Sequence, residues 1–598
     1  MSFLYTGDKS YEFEIGNNLL DIIQSHNLGM ESPCGGKGFC GKCKIKILSG
    51  DINDLTKEEL KFLTKEEIDK NIRLSCLVYP KGNLYVKFLD TKSVNHKILV
   101  DGYMPEFKKE PILNKSTYDL EKPTLENNLS YEDIVINTIN CDLKDNYEIL
   151  KDIPNLFEKN KFTKVCLGEK LIGLECDDTK DKLYSIAIDI GTTTIVCSLI
   201  DIKNQFEVGS ESEINPQKEY GLDVLSRINF IKTKENGLDI LHKSIITCIN
   251  KLIEKLCKNN NVNRENIYEV SIAANTTMMH ILLNINPISI GKSPYSPVFV
   301  KGKNIDAKSL GINISSFGKV YLLPGVSSYI GADIVAGVCV CDLKNVDKNI
   351  LFIDIGTNGE MVLSKKGKLV SCSCAAGPAL EGMNISCGMR AGDGAIENVK
   401  IEESINIKII GDKTPSGICG SGIVDAISEL ARLNLIGKTG RIVKKEKILD
   451  DDKLSYLSEC IIDENKKRRF VLTKNTKEIA ITQEDIRQVQ LAKGAILSGI
   501  YALADKVGIK ITDLDEVIIA GQFGKHLSID SLVGVGIIPK ELKEKIKYIG
   551  NSSKTGAIMS LLSKDIRESM DNIASDIDYF ELSTKDGYER LFTECLKF

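Results

Sequence analysis

The hydrophobic and polar positions of this chain change period several times, and each change marks an element. YTGDKSYEFEI alternates as a first hairpin does. In NLLDIIQSHN the apolar residues fall at 19, 20, 22 and 23, the spacing of a short helix. KCKIKILSG and NLYVKFLD alternate again as strands. Residues 51–70, DINDLTKEELKFLTKEEIDK, predict a charged, solvated helical insertion. Beyond residue 92 the period disappears in a polar stretch punctuated by Pro105, Pro111 and Pro123, which predicts a linker over 93–128. Short alternating pieces such as YEDIVINTI and KLIGLEC predict a small α/β domain over 129–182. From 183 to 598 apolar strands followed by Gly-rich turns alternate with helical stretches, among them QLAKGAILSGIYALADKVGI. VAGVCVCDL places Cys339 and Cys341 alternately on a short apolar run, a core pattern.

Composition narrows the function classes. With 598 residues the chain has room for roughly three to six domains. A 42% hydrophobic, 27% charged composition is that of an ordered chain. The net charge of -5 gives no support to nucleic-acid binding. The N-terminus lacks the apolar stretch of a signal peptide, and no apolar run reaches the roughly 18 residues of a membrane span. The expectation is a cytoplasmic protein. Its 18 cysteines then read as metal ligands plus buried small hydrophobes rather than a disulfide framework.

Three of those cysteines crowd into PCGGKGFCGKC, namely Cys34, Cys40 and Cys43, and Cys76 follows in NIRLSCLVYP. Four thiolates suit tetrahedral zinc, but structural zinc sites commonly use two close pairs, and this spacing is three plus one. Gly35, Gly36, Gly38 and Gly41 let backbone N–H groups approach bridging sulfides, and such hydrogen bonds tune an iron–sulfur potential. The stretch resembles the plant- and adrenodoxin-type [2Fe-2S] ferredoxins, with five residues between the first two ligands as in the adrenodoxin-like branch. The resemblance implies a β-grasp domain over 1–92 with Cys34, Cys40, Cys43 and Cys76 as cluster ligands.

A second pattern is repeated. YSIAIDIGTTTIVCSLID and NILFIDIGTNGEMVLSKKG each run strand, Asp-Ile-Gly-Thr, tight turn, strand. Asp189 and Asp354 take matching positions, and such carboxylates can hold hydrated Mg²⁺. Gly191 and Gly356 permit the turns, and Thr192, Thr193, Thr194, Thr357 and Asn358, with Gly359 beside them, can donate to phosphate oxygens. DEVIIAGQFGKHL reads as strand, Gly-rich loop and helix start, where Gly521, Gln522 and Gly524 would let a flat adenine or ribose lie close. Neither a Walker pattern nor a G-x-G-x-x-G fingerprint is present in these loops, so a nicotinamide cofactor is disfavoured.

This triple pattern resembles the actin–Hsp70–sugar kinase (ASKHA) superfamily: two phosphate loops and an adenosine loop around ATP–Mg²⁺ in a cleft between two α/β subdomains. The resemblance carries the catalytic metal- and water-orienting roles onto Asp189 and Asp354, and AANTTMMH brings Asn275 near the γ-phosphate. The whole length is similar to the ATP-dependent reductive activators of corrinoid proteins, through PCGGKGFCGKC, AIDIGTTT, LPGVSSYIGADIVAG, FIDIGTNGEM, CAAGPALEGMNISCGMRAGDGAI and GICGSGIVD. That family implies one-electron reduction of Co(II) to Co(I) in the corrinoid protein of a methyltransferase system, a homodimer, and a mobile cluster domain. No flavin motif is apparent, which implies an external low-potential donor. Two other functions stay open at this level: an ASKHA-type small-molecule kinase with an electron-carrier domain, or a redox-sensitive ATP-binding scaffold.

The segment SCSCAAGPALEGMNISCGMRAGDGAIE holds Cys372, Cys374 and Cys387 and reads as close packing rather than a second metal site. Asp333 and Asp393 are candidate cleft carboxylates with helix capping as the plainer role, and His280 and His526 read as structural.

Overall fold

The computed structural model describes the chain except residues 1, 8, 27, 29, 31–35, 37, 39–40, 90–101, 127, 142, 144–146, 450–453, 465–466, 475–477 and 522–526, and the side chain of Asp412. Its first part is a five-stranded mixed sheet in the order Lys9–Phe13, Ser2–Thr6, Leu84–Phe88, Lys44–Ser49, Ile72–Leu74. The first and last strands in sequence pair in parallel, Leu4 with Leu84, so the ends of the domain meet at its centre. The helix Leu19–Ser25 closes one face, burying Leu19, Leu20, Ile22 and Ile23 as the spacing predicts.

The expected helix over 51–70 is instead two short turns, Glu59–Lys61 and Lys65–Asp69. Glu59 is fully buried, gripped by Nε and Nη2 of Arg73 at 2.8 Å each and by the backbone N–H of Leu74. A charged run looks solvated in sequence because its buried partner lies on a different strand.

The small domain begins earlier than expected. Leu113–Asp119, inside the anticipated 93–128 linker, is an edge strand paired antiparallel with Lys161–Leu167, which pairs in turn with Lys170–Cys176. Its side chains are mostly polar and half exposed, so no alternation betrays it. The stretch before it is also held: Gly102 bridges Gly550, Tyr103 N donates to Ile549 O, and Glu110 N donates to Leu562 O.

The rest is organised around two related six-stranded sheets, with two small three-stranded sheets beside them. In the first, Tyr184–Ile190 pairs antiparallel with Thr194–Asp201, which pairs with Phe206–Ile214, while Ile267–Ala274 and Lys319–Leu322 continue in parallel on the other side. In the second, Asn349–Ile355, Gly359–Lys365 and Lys368–Cys374 repeat the antiparallel run, and Glu516–Ala520 and Ile546–Gly550 repeat the parallel one. The Asp-Ile-Gly-Thr repeat thus opens the same hairpin in both sheets.

Two helices join the halves. Ala332–Val340 follows the first sheet, yet a side chain at its Gly337 would strike Phe352 of the second. Ser552–Leu562 follows the second sheet and packs on the first. Both are buried almost all round, so neither has a polar face to reveal a helical period. Cys339 is buried inside the helix, as its core pattern predicts, and Cys341 is the half-buried C-cap. Among the described residues no helix is long and apolar enough to cross a membrane.

The two helices cross at Gly556, where an added Cβ would lie 2.5 Å from Ala336 Cβ. Gly556→Val is expected to cost about 1–3 kcal/mol as overpacking, read as a lower midpoint in thermal denaturation. An unchanged midpoint would show that the crossing can give way.

Candidate active site and nucleotide cleft

The hairpin repeat and the two crossing helices converge on one cleft between the sheets. It is lined by Asp189, Gly191 and Thr192–Thr194 from the first half, and by Asp354, Gly356, Thr357 and Asn358 from the second. The turns are built alike: Gly191 N donates to Thr194 O and Gly356 N to Asn358 O, each at 2.9 Å. Asn275 caps the helix Thr276–Leu282 with its Oδ1 and gives its Nδ2 to the Thr192 hydroxyl at 3.2 Å, which sets that hydroxyl in the cleft. Gly521 lies on the floor with φ +88°, and a side chain there would meet Asp354 Oδ1 at 2.5 Å. Gln522 and Gly524 lie outside the described residues. Gly359 is placed elsewhere: it starts a strand and packs on Cys374, where a Cβ would come within 2.8 Å of the sulfur.

The cleft also collects carboxylates besides the two aspartates of the repeat. Asp333 and Glu360 join Asp189 and Asp354 on its lining, and Glu381 stands at the same site. Asp333 is not the cap of its helix; Gly331 is. Glu381 accepts the hydroxyl of Thr357 at 2.7 Å and that of Thr193 at 3.1 Å, so one carboxylate spans both phosphate loops. Asn551 Nδ2 and Ser553 Oγ each donate to Asp189 at 2.8 Å. The duplicated motif announces its own aspartates and Asp333 is a candidate from sequence, whereas Glu360 and Glu381 carry no separate signal until the chain is folded.

The electrostatics follow from the crowding. Burial first, then the charge of Asp189, pushes Asp354 up to about 7. Burial, then Asp354 and Asp189, does the same to Asp333, also to about 7. Glu360 is driven up by burial and by Asp333 and Asp354. Burial raises Asp189 too, while Asn551, Ser553 and the nearby Lys554 oppose the rise. Such a floor favours a cation. Among the described residues no three Asp, Glu, His or Cys side chains close around one metal position.

The cysteine site is described in half. Cys43 and Cys76 are both buried, with their sulfurs 3.3 Å apart, close enough to share one metal ion. Cys34 and Cys40 lie outside the described residues. Gly36, Gly38 and Gly41 have φ between +65° and +80°, and a Cβ at Gly41 would meet Phe62 Cβ at 2.8 Å, so the turn needs glycine. The donor set and its turn fit a [2Fe-2S] cluster. His280 is structural: Nδ1 lies 2.7 Å from Thr276 O, and Nε2 accepts the N–H of Val298. Cys372 and Cys374 are buried in a strand, and Cys419 donates to Ile396 O rather than facing the cleft. His526 lies outside the described residues.

A carboxylate whose pKa is raised by folding costs stability once ionised. The cost is absent below the unfolded value near 3.8 and complete above about 7. Asp333→Asn should therefore raise the melting point of the nucleotide-free protein at pH 8, by roughly 2–4 °C per kcal/mol relieved, and much less at pH 5. An equal gain at both pH values would contradict the repulsion.

Comparisons with known proteins agree along the chain. Residues 5–81 match the family model described as the 2Fe-2S iron-sulfur cluster binding domain, 184–346 the RACo middle region, and 348–598 the C-terminal domain of RACo, the ASKHA domain. A solved structure titled reductive activator for corrinoid,iron-sulfur protein superposes with a TM-score of 0.72 at 32% identity, covering 100% of this chain and 98% of that one. The corrinoid activation enzyme RamQ of Eubacterium limosum is 30% identical over 578 residues, 94% of this chain and 93% of its own. The reductase of the Co(II) methylated amine-specific corrinoid protein of Methanosarcina barkeri is 24% identical over 445 residues, 69% of this chain and 76% of its own. Matched at nearly full length in both sequence and fold, the chain belongs to the family of corrinoid activation enzymes that join a 2Fe-2S domain to an ASKHA domain.

Proposed function

We propose that this protein restores a corrinoid protein by one-electron reduction of Co(II) to Co(I), using a [2Fe-2S] cluster in the N-terminal domain and ATP–Mg²⁺ in the cleft. The observation that carries the reading is the union, on one chain, of a paired-thiol site in a ferredoxin-like sheet with a duplicated phosphate-loop cleft. The family relatives, by name, act on corrinoid proteins in the same sense.

Cys34, Cys40, Cys43 and Cys76 would hold the cluster, which supplies one low-potential electron when bound. An external reductant would supply that electron and cobalt would receive it, so that the corrinoid gains one electron and the donor loses one. Plant-type clusters lie near roughly −400 mV. A cobalt couple lower by about 100 mV would oppose transfer by about 2.3 kcal/mol. Coupling energies of ~1–3 kcal/mol between sites are ordinary, so nucleotide binding has the size needed to tip the transfer.

In the cleft, Thr192–Thr194, Thr357 and Asn358 offer hydroxyl, amide and backbone donors to phosphate, and Gly521 leaves room for the nucleoside. Asp189 is held in place by Asn551 and Ser553 and orients the hydrated cation together with Asp354. Asn275 stands by the first phosphate loop, placed for the terminal phosphate. The protein works as a homodimer with a separate low-potential donor protein.

The test is anaerobic: cluster-loaded protein, a Co(II) corrinoid protein, a strong one-electron donor and ATP–Mg²⁺, followed by the optical spectrum of Co(I). Co(I) is expected only when ATP and an intact cluster are both present, and Cys43→Ser is expected to abolish it. Full Co(I) formation without ATP would remove the nucleotide from the mechanism. Failure with every corrinoid partner, alongside ATP-dependent phosphorylation of a metabolite, would favour the kinase reading.

A further inference from the structure

The cluster-carrying domain rests against the ATPase body through the outer side of its helix Leu19–Ser25. Gln24 Nε2 donates to the backbone oxygen of Glu219 at 2.6 Å, and Asp21 forms an ion pair with Lys234. Phe13 and Ile22 face Tyr220, Phe230 and Ile240 across the same groove. Both polar contacts land on one short stretch of the body: the turn Pro216–Glu219 and the helix Val224–Thr233, with Lys234 at that helix's end.

That stretch is fastened to the first phosphate loop by Arg227, the largest fully buried side chain of the described residues. Its guanidinium donates to Thr192 O in the loop, to Gln217 Oε1 at 3.0 Å in the docking turn, to Gly221 O at 2.9 Å just after that turn, and to Met278 Sδ. All four acceptors are neutral. Burial, and after it the neighbouring Arg390 charge, pulls Arg227 down to about 9 against the opposing influence of Asp223. Asn215 repeats the link, with Nδ2 on Gly191 O and its N–H on Thr193 O. The covalent connection arrives at the same place from the other side. Gly102 packs against Asn551 O, and Asn551 holds Asp189. Dock and tether thus both end on residues that hold the first phosphate loop.

We propose that the face around Glu219 and Lys234 is the resting dock of the cluster domain, and that Arg227 is the positioning residue through which nucleotide on the first phosphate loop releases it. The inference rests on nucleotide occupying the cleft, as read above. A phosphate at Thr192–Thr194 offers Arg227 a charged acceptor in place of neutral ones, and charge-assisted hydrogen bonds are about twice as strong. Turning toward it, the guanidinium lets go of Gln217 and Gly221, and the turn that receives Gln24 loosens. The cluster domain is then free to reach a partner.

The experiment uses the full, cluster-loaded chain with donor and acceptor dyes on non-natural residues at exposed Leu48 and Phe206, and calorimetry of ATP–Mg²⁺ on the same samples. Energy transfer in the wild type should fall when ATP–Mg²⁺ is added. Lys234→Glu should give the low-transfer value without nucleotide. By the reciprocity of coupled equilibria it should also bind ATP more tightly, by about fivefold. Adding Asp21→Lys should restore both values. Arg227→Lys should bind ATP yet show no nucleotide-dependent change in energy transfer. ATP binding to the wild type without a change in energy transfer would overturn the coupling and leave the nucleotide cleft standing. So would a Lys234→Glu affinity within about twofold of the wild type, since linkage demands a matching shift. No ATP binding at all would overturn both readings, and calorimetry separates that case from the others.

Discussion

The repulsion among Asp189, Asp333, Asp354 and Glu360 is the constraint on which the rest of the molecule depends. These carboxylates come from three segments, Asp354 and Glu360 facing each other across one hairpin, and meet on one floor because two sheets are bound by two crossing helices. Bringing them together raises the affinity of Asp333, Asp354 and Glu360 for protons. The fold sustains this with the helix Ser552–Leu562, whose first turn gives Ser553 to Asp189 and whose cap gives Asn551. Asp333 sits in the first turn of the other crossing helix, where the backbone dipole favours negative charge. In the proposed function such a site is completed by a cation that carries phosphate with it.

The same geometry explains why the protein is long. An electron carrier needs only the first sheet and its thiol loop. A phosphate cleft needs two sheets that can shift against each other. Glu381 ties the two halves together, since one carboxylate accepts a hydroxyl from each phosphate loop. In the proposed function phosphate competes for those hydroxyls, so occupancy is felt on both sides of the cleft at once. Arg227 then carries the first loop's state outward to the face on which the cluster domain sits.

The legible parts of the sequence were those with local or repeated signals. The cysteine spacing pointed to a ferredoxin-like sheet, and two copies of Asp-Ile-Gly-Thr pointed to a duplicated fold. What stayed hidden depended on distant partners. The helix Ala332–Val340 is buried between sheets and has no amphipathic face to read. The strand Leu113–Asp119 is polar because it lies at a sheet edge. Glu59 looks like surface until Arg73 is found beside it. Asp333 stands out in sequence as a candidate cleft carboxylate and does line the cleft, whereas Glu360 and Glu381 acquire meaning only through the cleft they share. The docking contacts of Asp21 and Gln24 are longer-range still, joining the first domain to residues about two hundred positions away.

The most direct measurement of the central claim is a calorimetric titration of the cluster-loaded, nucleotide-free protein with ATP, once with Mg²⁺ and once with a chelator. If the crowded carboxylates are arranged for a cation that arrives with phosphate, ATP binds with Mg²⁺ and loses about tenfold or more in affinity without it, which is 1.4 kcal/mol of repulsion left unrelieved. Equal or tighter binding in the chelator would contradict the account, because a floor of uncompensated acids would then be no obstacle to phosphate.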